Sequence, residues 1–390
     1  MKQCLIIFML IIAVGIFAQS ADTLWVFNAP QFANPFYETY SRNYLGVEAA
    51  GRGYTGAAVL SNAHSALINP AVMTADSANI FIEFGIKPPQ NEDELKFNAN
   101  YVSPTPLGVF GFSMPLNSKW NIAAMYNNPK SIYLEDFIIE INQGASIVAI
   151  SPKYYLHQFS AVANYKLTDK VSLGMALHNQ IHYFYNPIFL RSYAKVSDTA
   201  YRVRMQPGFL FKQDKWMVGG SALLPGKIDV DLRYGKYEYP LPLELNAGLS
   251  YTSGQHRLSG DFSFVNDSAV DEKFSSRYGV HLGAEKRVEN HIIRAGYMFK
   301  SNVWDGRVML AENTTANADT SIFWLDVPNS LDVKDNNQHF LTAGLGYLFK
   351  HGQINVSLLH CIIGENRQTQ VNMGLSIKLN TFMSSKLLED

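Results

Sequence analysis

The sequence predicts an all-β fold, an antiparallel transmembrane β-barrel of about 14 strands. From about residue 78 onward, apolar residues recur with a period of two, which is the period of a strand with two unlike faces. Each run has about ten residues, the length of a tilted strand that crosses a bilayer. Very short turns alternate with longer polar stretches between the runs, as they do in membrane barrels built from hairpins.

The N-terminus, residues 1–20, predicts a cleaved secretory signal peptide. Met1 and Lys2 form a short positive start, and Leu5 to Phe17 is almost wholly apolar. This apolar core is too short for a membrane-spanning helix, and the small residues at 18–20 suit signal peptidase. The mature chain then keeps one cysteine, Cys361, so it cannot form an internal disulfide.

The composition favours an exported β-protein that contacts lipid. Charged residues make up 17% of the chain, below the roughly 25% of typical globular domains. Aromatic residues reach 13% and the net charge is −1, so nothing indicates binding to nucleic acid. After the signal, no stretch is apolar and long enough to predict a spanning helix. The two remaining classes are a large exported soluble β-protein and an outer-membrane barrel.

The alternation of short turns and longer loops predicts the number of strands. Longer stretches near 128–153, 186–199, 225–240, 266–274, 302–337 and 364–368 separate six very short turns, which predicts 14 strands with both barrel ends on the short-turn side. The stretch 95–106 leaves 16 strands as an alternative, but proline at 104 and 106 favours a loop or a kinked strand extension. The short turns lie near Asn117-Ser118, Thr168-Asp169, Gln213-Asp214, Ser253-Gly254, Glu289-Asn290 and His351-Gly352.

The alternation within single runs predicts one apolar and one polar face. In the stretch 158–167, for example, Phe159 and Ala161 alternate with Gln158 and Ser160. A soluble β-sandwich shows the same alternation, so periodicity alone does not separate the two classes. Aromatic residues near the ends of several runs resemble an interfacial girdle and favour the membrane barrel. They are Tyr183, Phe184, Tyr185, Tyr297, Phe299, Tyr347 and Phe349.

The stretch before the first strand begins with a literal G-x-G-x-x-G, formed by Gly51, Gly53 and Gly56. This spacing occurs in dinucleotide-binding loops, and Asp76 lies at a suitable distance to hold a ribose hydroxyl. A dinucleotide site, however, needs a β-α-β unit of a parallel sheet, and period-two strands follow here. Small residues crowd positions 49–66, so we expect this stretch to pack its backbone closely against a wall.

At this point the sequence resembles a known family. Residues 44–73, YLGVEAAGRGYTGAAVLSNAHSALINPAVM, resemble the N-terminal signature of FadL-type outer-membrane barrels, most closely the PorV/PorQ-like branch. The signature combines an Ala/Gly-rich run with an Asn-Pro-Ala triplet, here Asn69, Pro70 and Ala71. Arg52 and Tyr54 depart from it, since bulky aliphatic residues are more usual at these positions.

The resemblance implies a 14-strand barrel with an N-terminal plug folded into its lumen. FadL-type members admit hydrophobic molecules, whereas the PorV-like branch serves the type IX secretion machinery. We therefore expect residues of about 45–76 to lie in the lumen, with Gly51, Gly53 and Gly56 pressed against wall strands. Pro70 would fix the bend that leads into the first strand. The role of residues 22–44 stays open.

The final run resembles the insertion signal in the last strand of such barrels. Asn372, Gly374, Ile377 and Leu379 fit its pattern of a polar residue, a glycine and two apolar residues. The last position is not aromatic, and residues 380–390 follow it, which departs from the usual pattern. We expect these last residues to form a periplasmic tail.

No residue cluster predicts catalysis, a metal or a cofactor. His178 and His182 would suggest a metal on a helix, but four residues along a strand span roughly 13 Å. They are expected to be polar residues that face the lumen. No Ser/His/Asp set has a recognisable spacing. The long loop carries an aromatic cluster, TSIFWLDVP (320–328), which suits either a contact surface or packing over the barrel mouth.

Together these features predict a non-enzymatic protein of the bacterial outer membrane. The expected divisions are a signal peptide (1–20), an N-terminal extension and plug (21–76), the barrel (77–379) and the tail (380–390). The expected function is a conduit for hydrophobic small molecules or a component associated with type IX secretion. The alternatives are an exported barrel enzyme such as a lipase and a structural outer-membrane protein. Expected partners are outer-membrane lipid, the barrel-assembly machinery, and small apolar molecules or secreted proteins.

Overall fold

Most of the predicted barrel is defined in the structure, a computed structural model. It describes residues 22–25, 41–61, 63–75, 77–88, 100–101, 107–135, 137–141, 146–150, 153–185, 197–232, 235–304, 306–309, 330–333, 337–364 and 368–379. The predicted signal peptide, the predicted tail and the aromatic cluster 320–328 lie outside these residues. Among the residues described, no helix has both the length and the apolar character needed to cross a bilayer.

Fourteen antiparallel strands close into a barrel, which confirms the predicted fold class and strand count. The last strand pairs with the first, so that Asn79 lies opposite Lys378 and Ile86 opposite Val371. The barrel strands are β1 Asn79–Ile86, β2 Leu107–Pro115, β3 Trp120–Glu135, β4 Lys153–Lys166, β5 Val171–Tyr185, β6 Ser197–Gln213, β7 Trp216–Leu223, β8 Glu244–Ser253, β9 His256–Val265, β10 Arg277–Val288, β11 His291–Lys300, β12 Gln338–Phe349, β13 Gly352–Ile363 and β14 Thr369–Lys378.

All six predicted short turns connect neighbouring barrel strands. They lie at one end of the barrel, where β1 also begins and β14 ends. The longer connections lie at the other end, which we call the long-loop end. Two residues of the ambiguous stretch 95–106, Asn100–Tyr101, pair only with the end of β3. This pairing extends the sheet locally, and the 16-strand alternative is therefore wrong.

Two stretches that the sequence assigned to polar loops contain further strands. Phe137–Ile141 pairs with Ser146–Ile150, and Gly226–Leu232 pairs with Gly235–Leu241. Strand β3 also continues to Glu135 and has 16 residues, more than the ten expected. Hydrogen-bonded pairing thus continues beyond the length that a bilayer requires, because a hairpin gains backbone partners whether or not lipid surrounds it.

The two faces of the strands differ as predicted. In β4, Phe159 is 49% exposed on the outer face, whereas Gln158 and Asn164 are 6% and 2% exposed on the inner face. Large apolar side chains cover the outside of other strands as well, among them Leu282 and Leu345. One expected girdle residue differs. Phe184 is buried and stacks on Tyr154 of β4, so it belongs to the inner face.

A small separate sheet involves the N-terminal extension. Asp22–Trp25 pairs in parallel with Gly306–Met309, and the latter pairs in antiparallel fashion with Ser330–Val333. Both partner strands belong to the connection between β11 and β12, which is at the long-loop end. The extension therefore approaches the barrel from the long-loop end.

Candidate functional site: the barrel lumen and the inner segment

Residues 41–61 and 63–75, which we call the inner segment, pack against the inner face of the barrel wall. The segment contains one short helix, α1 (Val47–Gly51), and two 3-10 turns, Ala63–Leu67 and Pro70–Val72. Helix α1 begins after Gly46, whose φ is 91°. The carboxylate of Glu83 in β1 accepts hydrogen bonds from the first backbone N–H groups of this turn, at 2.8 and 2.9 Å. A wall carboxylate thus caps the helix, where backbone donors have no partner within the helix.

Inward polar side chains of the wall bind the backbone of the inner segment along most of its length. For example, Asp261 accepts hydrogen bonds from the N–H groups of Gly56 and Ala57 at 2.6 and 2.7 Å. Backbone groups removed from water need such partners, so the polar inner face specifies the path of the segment. These bonds join Tyr44 to β14, Gly46 and Val47 to β1, Gly53 to β12, Gly56 and Ala57 to β9, Ala58 to β8, Ile68 to β6 and β7, and Ala71 to β4.

Glycines bring the two backbones into direct contact. A Cβ atom on Gly53 would lie 2.4 Å from the carbonyl oxygen of Leu282, and one on Gly296 of the wall would lie 2.1 Å from the nitrogen of Gly53. Gly53 also has a φ of 66°, which side chains disfavour. Gly51 similarly faces Gly344. The sequence singled out the glycines of the segment but missed those of the wall, although glycine inside a strand signals close backbone approach.

The Asn-Pro-Ala triplet lies against the neighbouring wall strands β4 to β7. Asn69 donates hydrogen bonds to the carbonyl oxygens of Ala57 (2.7 Å) and Phe209 (3.0 Å), and its own side-chain oxygen accepts from Ala71 (3.0 Å). Pro70 occupies the first position of the 3-10 turn, where its missing N–H is not needed. Cβ atoms on Gly174 and Gly208 would collide with this turn. The triplet therefore fits a recess in the wall that small residues create.

An ionic cluster joins the segment to the wall near the short-turn end. Glu285 accepts hydrogen bonds from Arg52 (2.8 Å), Arg294 (2.8 Å) and Arg257 (3.2 Å), while Glu48 lies 3.9 Å from both Arg52 and Arg294. Burial lowers the pKa of the Arg52 guanidinium, and the charge of Glu285 opposes this shift. Arg52 departs from the aliphatic residue usual in the resembling families. The neighbouring carboxylates of Glu285 and Glu48 explain why a cation is accommodated at this position.

The two histidines considered from sequence have separate partners. His178 hydrogen-bonds Ser160 and Gln206, both at 2.8 Å, and His182 hydrogen-bonds Tyr154 at 3.0 Å. Both are buried on the inner face. Among the residues that the structure describes, no group of three or more His, Cys, Asp or Glu side chains could hold a metal ion.

Among the residues that the structure describes, two Ser–His hydrogen bonds occur that sequence spacing did not reveal. One is the Ser160–His178 pair, and the other joins Ser263 to His281 at 3.0 Å. The second nitrogen of each histidine bonds a neutral oxygen, from Gln206 and from the carbonyl of Gly53. A nucleophilic triad needs a group that stabilises the imidazolium, usually a carboxylate. Both pairs therefore fit a structural role in the wall.

Two cavities of about 110 Å³ each lie between the inner segment and the wall. Both are lined by Arg42, Tyr54, Leu67, Glu244 and Asn246. The first extends along β3 to β6 and is bordered mainly by amide, imidazole and charged side chains. The second extends along β8 to β11 and includes Ser263, His281 and Lys300. The lumen thus combines a close-packed region near the short turns with open polar space.

The residues of the expected insertion signal occupy the two faces of β14 and the position after it. Asn372 is buried and donates hydrogen bonds to the carbonyl of Tyr44 and to Ser357, both at 3.3 Å. Gly374 is also buried, and a Cβ there would lie 2.8 Å from Val47. Ile377 and Leu379 are partly exposed. The first two residues thus contact the inner segment, and a role of the four in insertion stays a prediction.

Comparison with known proteins identifies solved structures that have a similar fold. No protein-family model and no curated protein sequence matches the chain. Among solved structures, the chain is similar to the toluene transporter TbuX of Ralstonia pickettii (12% identity, TM-score 0.60, covering 88% of this chain and 100% of that one). It is also similar to the toluene transporter TodX of Pseudomonas putida (12%, 0.57, 86% and 98%) and to a FadL homologue of Pseudomonas aeruginosa (11%, 0.56, 86% and 98%).

The fold therefore defines the class: this is a closed antiparallel barrel of 14 strands with the architecture of FadL-type outer-membrane barrels. At 11–12% identity the similarity supports a conclusion about the architecture only.

Proposed function

We propose that this chain is a non-enzymatic outer-membrane conduit for small molecules. The observation that carries the proposal is a closed barrel with an apolar outer face and a polar lumen that still contains open space. An apolar outer face suits lipid, and closure leaves no unpaired strand edge in the bilayer. The similar solved structures include two toluene transporters, which supports transport and, for the cargo, hydrophobic molecules.

Within this proposal the inner segment acts as the plug. Its glycine contacts and its ionic cluster lie between the cavities and the short-turn end, so a solute that enters from the long-loop end reaches the cavities first. The short turns face the periplasm, as in bacterial barrels. Onward passage then requires the segment to move or the wall to open beside it.

The test is solute entry into outer-membrane vesicles prepared from cells with and without the protein. We expect faster entry of at least one small solute when the protein is present. Equal entry for apolar, neutral polar and anionic solutes in both preparations would contradict the conduit. A vesicle preparation that contains the protein with residues 41–75 deleted provides the comparison, and it should admit solutes faster than the full chain.

A role in type IX secretion is the second candidate, and the resemblance of residues 44–73 favours it. It predicts that the barrel binds proteins in the outer membrane. A pull-down from detergent-solubilised outer membrane, analysed for both lipids and proteins, separates the two candidates. Stoichiometric recovery of secretion components without any solute entry would favour the second.

A further inference from the structure

The outer face of the barrel repeats one arrangement of side chains in two pairs of strands, β3 with β4 and β11 with β12. The stretches WNIAAMY (120–126) and HIIRAGY (291–297) share an aromatic ring, an isoleucine, an alanine and a tyrosine at alternate positions. The stretches HQFSAVANY (157–165) and HFLTAGLGY (339–347) share their first histidine, an alanine at the fifth position and their last tyrosine. All these shared positions are odd, so within each strand they lie on one face, which is the outer face.

The rings at the short-turn end fix the height of the arrangement. Trp120 lies opposite Tyr165, and His291 lies opposite Tyr347, with ring centroids 4.7 and 5.3 Å apart. Eight positions separate each of these tyrosines from the histidine of its own strand. Eight residues extend roughly 26 Å along a strand and about 20 Å along the axis of a barrel with the usual tilt. Because the apolar band of such barrels is about 25 Å tall, the histidines lie close to its other border.

At that border each histidine is held by a tyrosine of the neighbouring strand. The Tyr126 hydroxyl is hydrogen-bonded to Nδ1 of His157 at 2.8 Å, and the Tyr297 hydroxyl is hydrogen-bonded to Nδ1 of His339 at 2.6 Å. A phenol donates more readily than it accepts, so we assign Nδ1 as the acceptor. The ring proton of a neutral histidine is then on Nε2, because the bond at one nitrogen sets the tautomer. Each pair therefore presents a fixed N–H donor.

A third histidine on the outer face has the same kind of bond. Nδ1 of His360 in β13 is hydrogen-bonded to the hydroxyl of Thr369 in β14 at 2.8 Å. His360 lies opposite Leu341, two positions from His339. The Nε2 atoms of the three histidines form no hydrogen bond within the part of the chain that the structure describes. Their donors are thus available to a partner outside the barrel.

We propose that His157, His339 and His360 bind the phosphate groups of membrane lipid at the long-loop end. Phosphate oxygens accept hydrogen bonds and are stronger acceptors than neutral oxygens. In a membrane, lipid phosphates lie just beyond the apolar band, at the height of the three donors. The acyl chains of the same lipid then cover apolar residues of the outer face such as Phe159 and Leu341, which are 49% and 51% exposed. The inference requires a barrel in lipid and does not depend on solute passage.

Dioleoyl phosphatidic acid is the probe, and dioleoylglycerol is its control because it has the same acyl chains and ester carbonyls without the phosphate. Native mass spectrometry of the detergent-solubilised full chain measures how much of each lipid is retained. We expect at least fivefold higher retention of phosphatidic acid, and equal retention would overturn the proposal. Inorganic phosphate in tenfold excess should not displace the lipid. Displacement would mean that the histidines take a free anion, which would overturn the assignment to lipid.

Matched double variants locate the site. His339→Phe combined with His360→Phe removes two of the three donors and keeps a ring at each position, so retention of phosphatidic acid should fall at least threefold. His256→Phe combined with His291→Phe is the control. Both of these histidines are exposed beside short turns, and neither ring forms a hydrogen bond with a described residue, so retention should stay the same. An equal loss in both double variants, or none in a folded His339/His360 variant, would overturn the proposal.

A tyrosine variant tests the positioning of the donor and serves if the double variant fails to fold. Tyr297→Phe keeps the ring and removes the hydroxyl from His339. Retention of phosphatidic acid should fall at least twofold, and the ¹⁵N signals of His339 should shift toward a mixture of the two tautomers. Tyr347→Phe makes the same change at the short-turn end and should alter neither measurement. Unchanged retention and unchanged ¹⁵N signals in Tyr297→Phe would contradict the assignment of the donor.

Discussion

The outer and inner faces of the same barrel strands constrain their side chains very differently. On the outer face, Leu345 is 65% exposed and needs only to be apolar. One position away on the inner face, Gly344 lies so close to Gly51 that an added Cβ would be 3.0 Å from the Cα of Gly51 and would require the neighbouring backbone to shift. The outer face is defined by a class of residue, whereas the inner face is defined by individual contacts. The effect of a substitution on stability should therefore depend on the polarity of the new residue on the outer face, and on the particular residue introduced on the inner face.

The largest effect is expected in the ionic cluster. Glu285→Gln replaces the carboxylate shared by Arg52, Arg257 and Arg294 with a neutral amide, and breaking a buried ion pair typically costs roughly 3–5 kcal/mol. We expect a loss of this order in the free energy of unfolding, measured by urea titration in lipid vesicles. Glu238→Gln is the control, because its ion pair with Lys227 is more than half exposed and should contribute at most about 1 kcal/mol. Equal losses would remove the distinction between an inner contact and a surface contact.

A charge on the outer face comes next. Leu375→Arg should destabilise the barrel by roughly 2–4 kcal/mol if this residue faces lipid near the midplane. Ser376→Arg, on the inner face opposite Phe81, should cost clearly less because Ser376 is partly exposed and does not face lipid. The measurement is again unfolding in vesicles. A larger loss for Ser376→Arg would mean that the outer face does not contact lipid.

Overpacking of the inner contact has a smaller effect on stability but a clear effect on permeability. Gly53→Leu places a side chain against backbone atoms that cannot retreat, at a typical cost of roughly 1–3 kcal/mol. It should loosen the inner segment and raise small-solute leakage while the barrel still inserts.

The control is Gly260→Leu, where the nearest atom to an added Cβ is 3.6 Å away, and leakage should not change there. A dinucleotide-binding loop predicts the opposite pattern for Gly53→Leu, with lost NAD binding and unchanged permeability. That pattern would falsify the plug.

Attaching a chemical label to the N-terminal extension is expected to leave the stability of the protein unchanged. Because Asp22–Trp25 pairs with a strand at the long-loop end, a cysteine at position 23 (Thr23→Cys) should react with a membrane-impermeant maleimide on intact cells. Ser118→Cys in a short turn should react only after the outer membrane is permeabilised. The reverse result would invert the proposed orientation or show that the extension lies elsewhere.

Part of the candidate site could be predicted from one sequence. The small residues Gly51, Gly53 and Gly56 and the triplet Asn69-Pro70-Ala71 stand out by composition. The structure has Gly51, Gly53 and the triplet in close contact with the wall, whereas an added Cβ on Gly56 would meet Ile68 of the inner segment itself. The wall glycines and the partners of Arg52 did not stand out. A glycine or a charge inside a strand indicates that something approaches it, but nothing in the strand itself identifies what.

The sequence by itself determined the barrel: its period of two, its six short turns and its apolar outer face follow from the order of residue types. These signals are local, since burial and turn formation depend on neighbours a few residues away. Only the tertiary structure decided the inner contacts. Arg52 and Glu285 are 233 positions apart, and they meet because strand register and barrel closure bring them together. Register depends on the summed pairing of all 14 strands, which no single stretch of sequence contains.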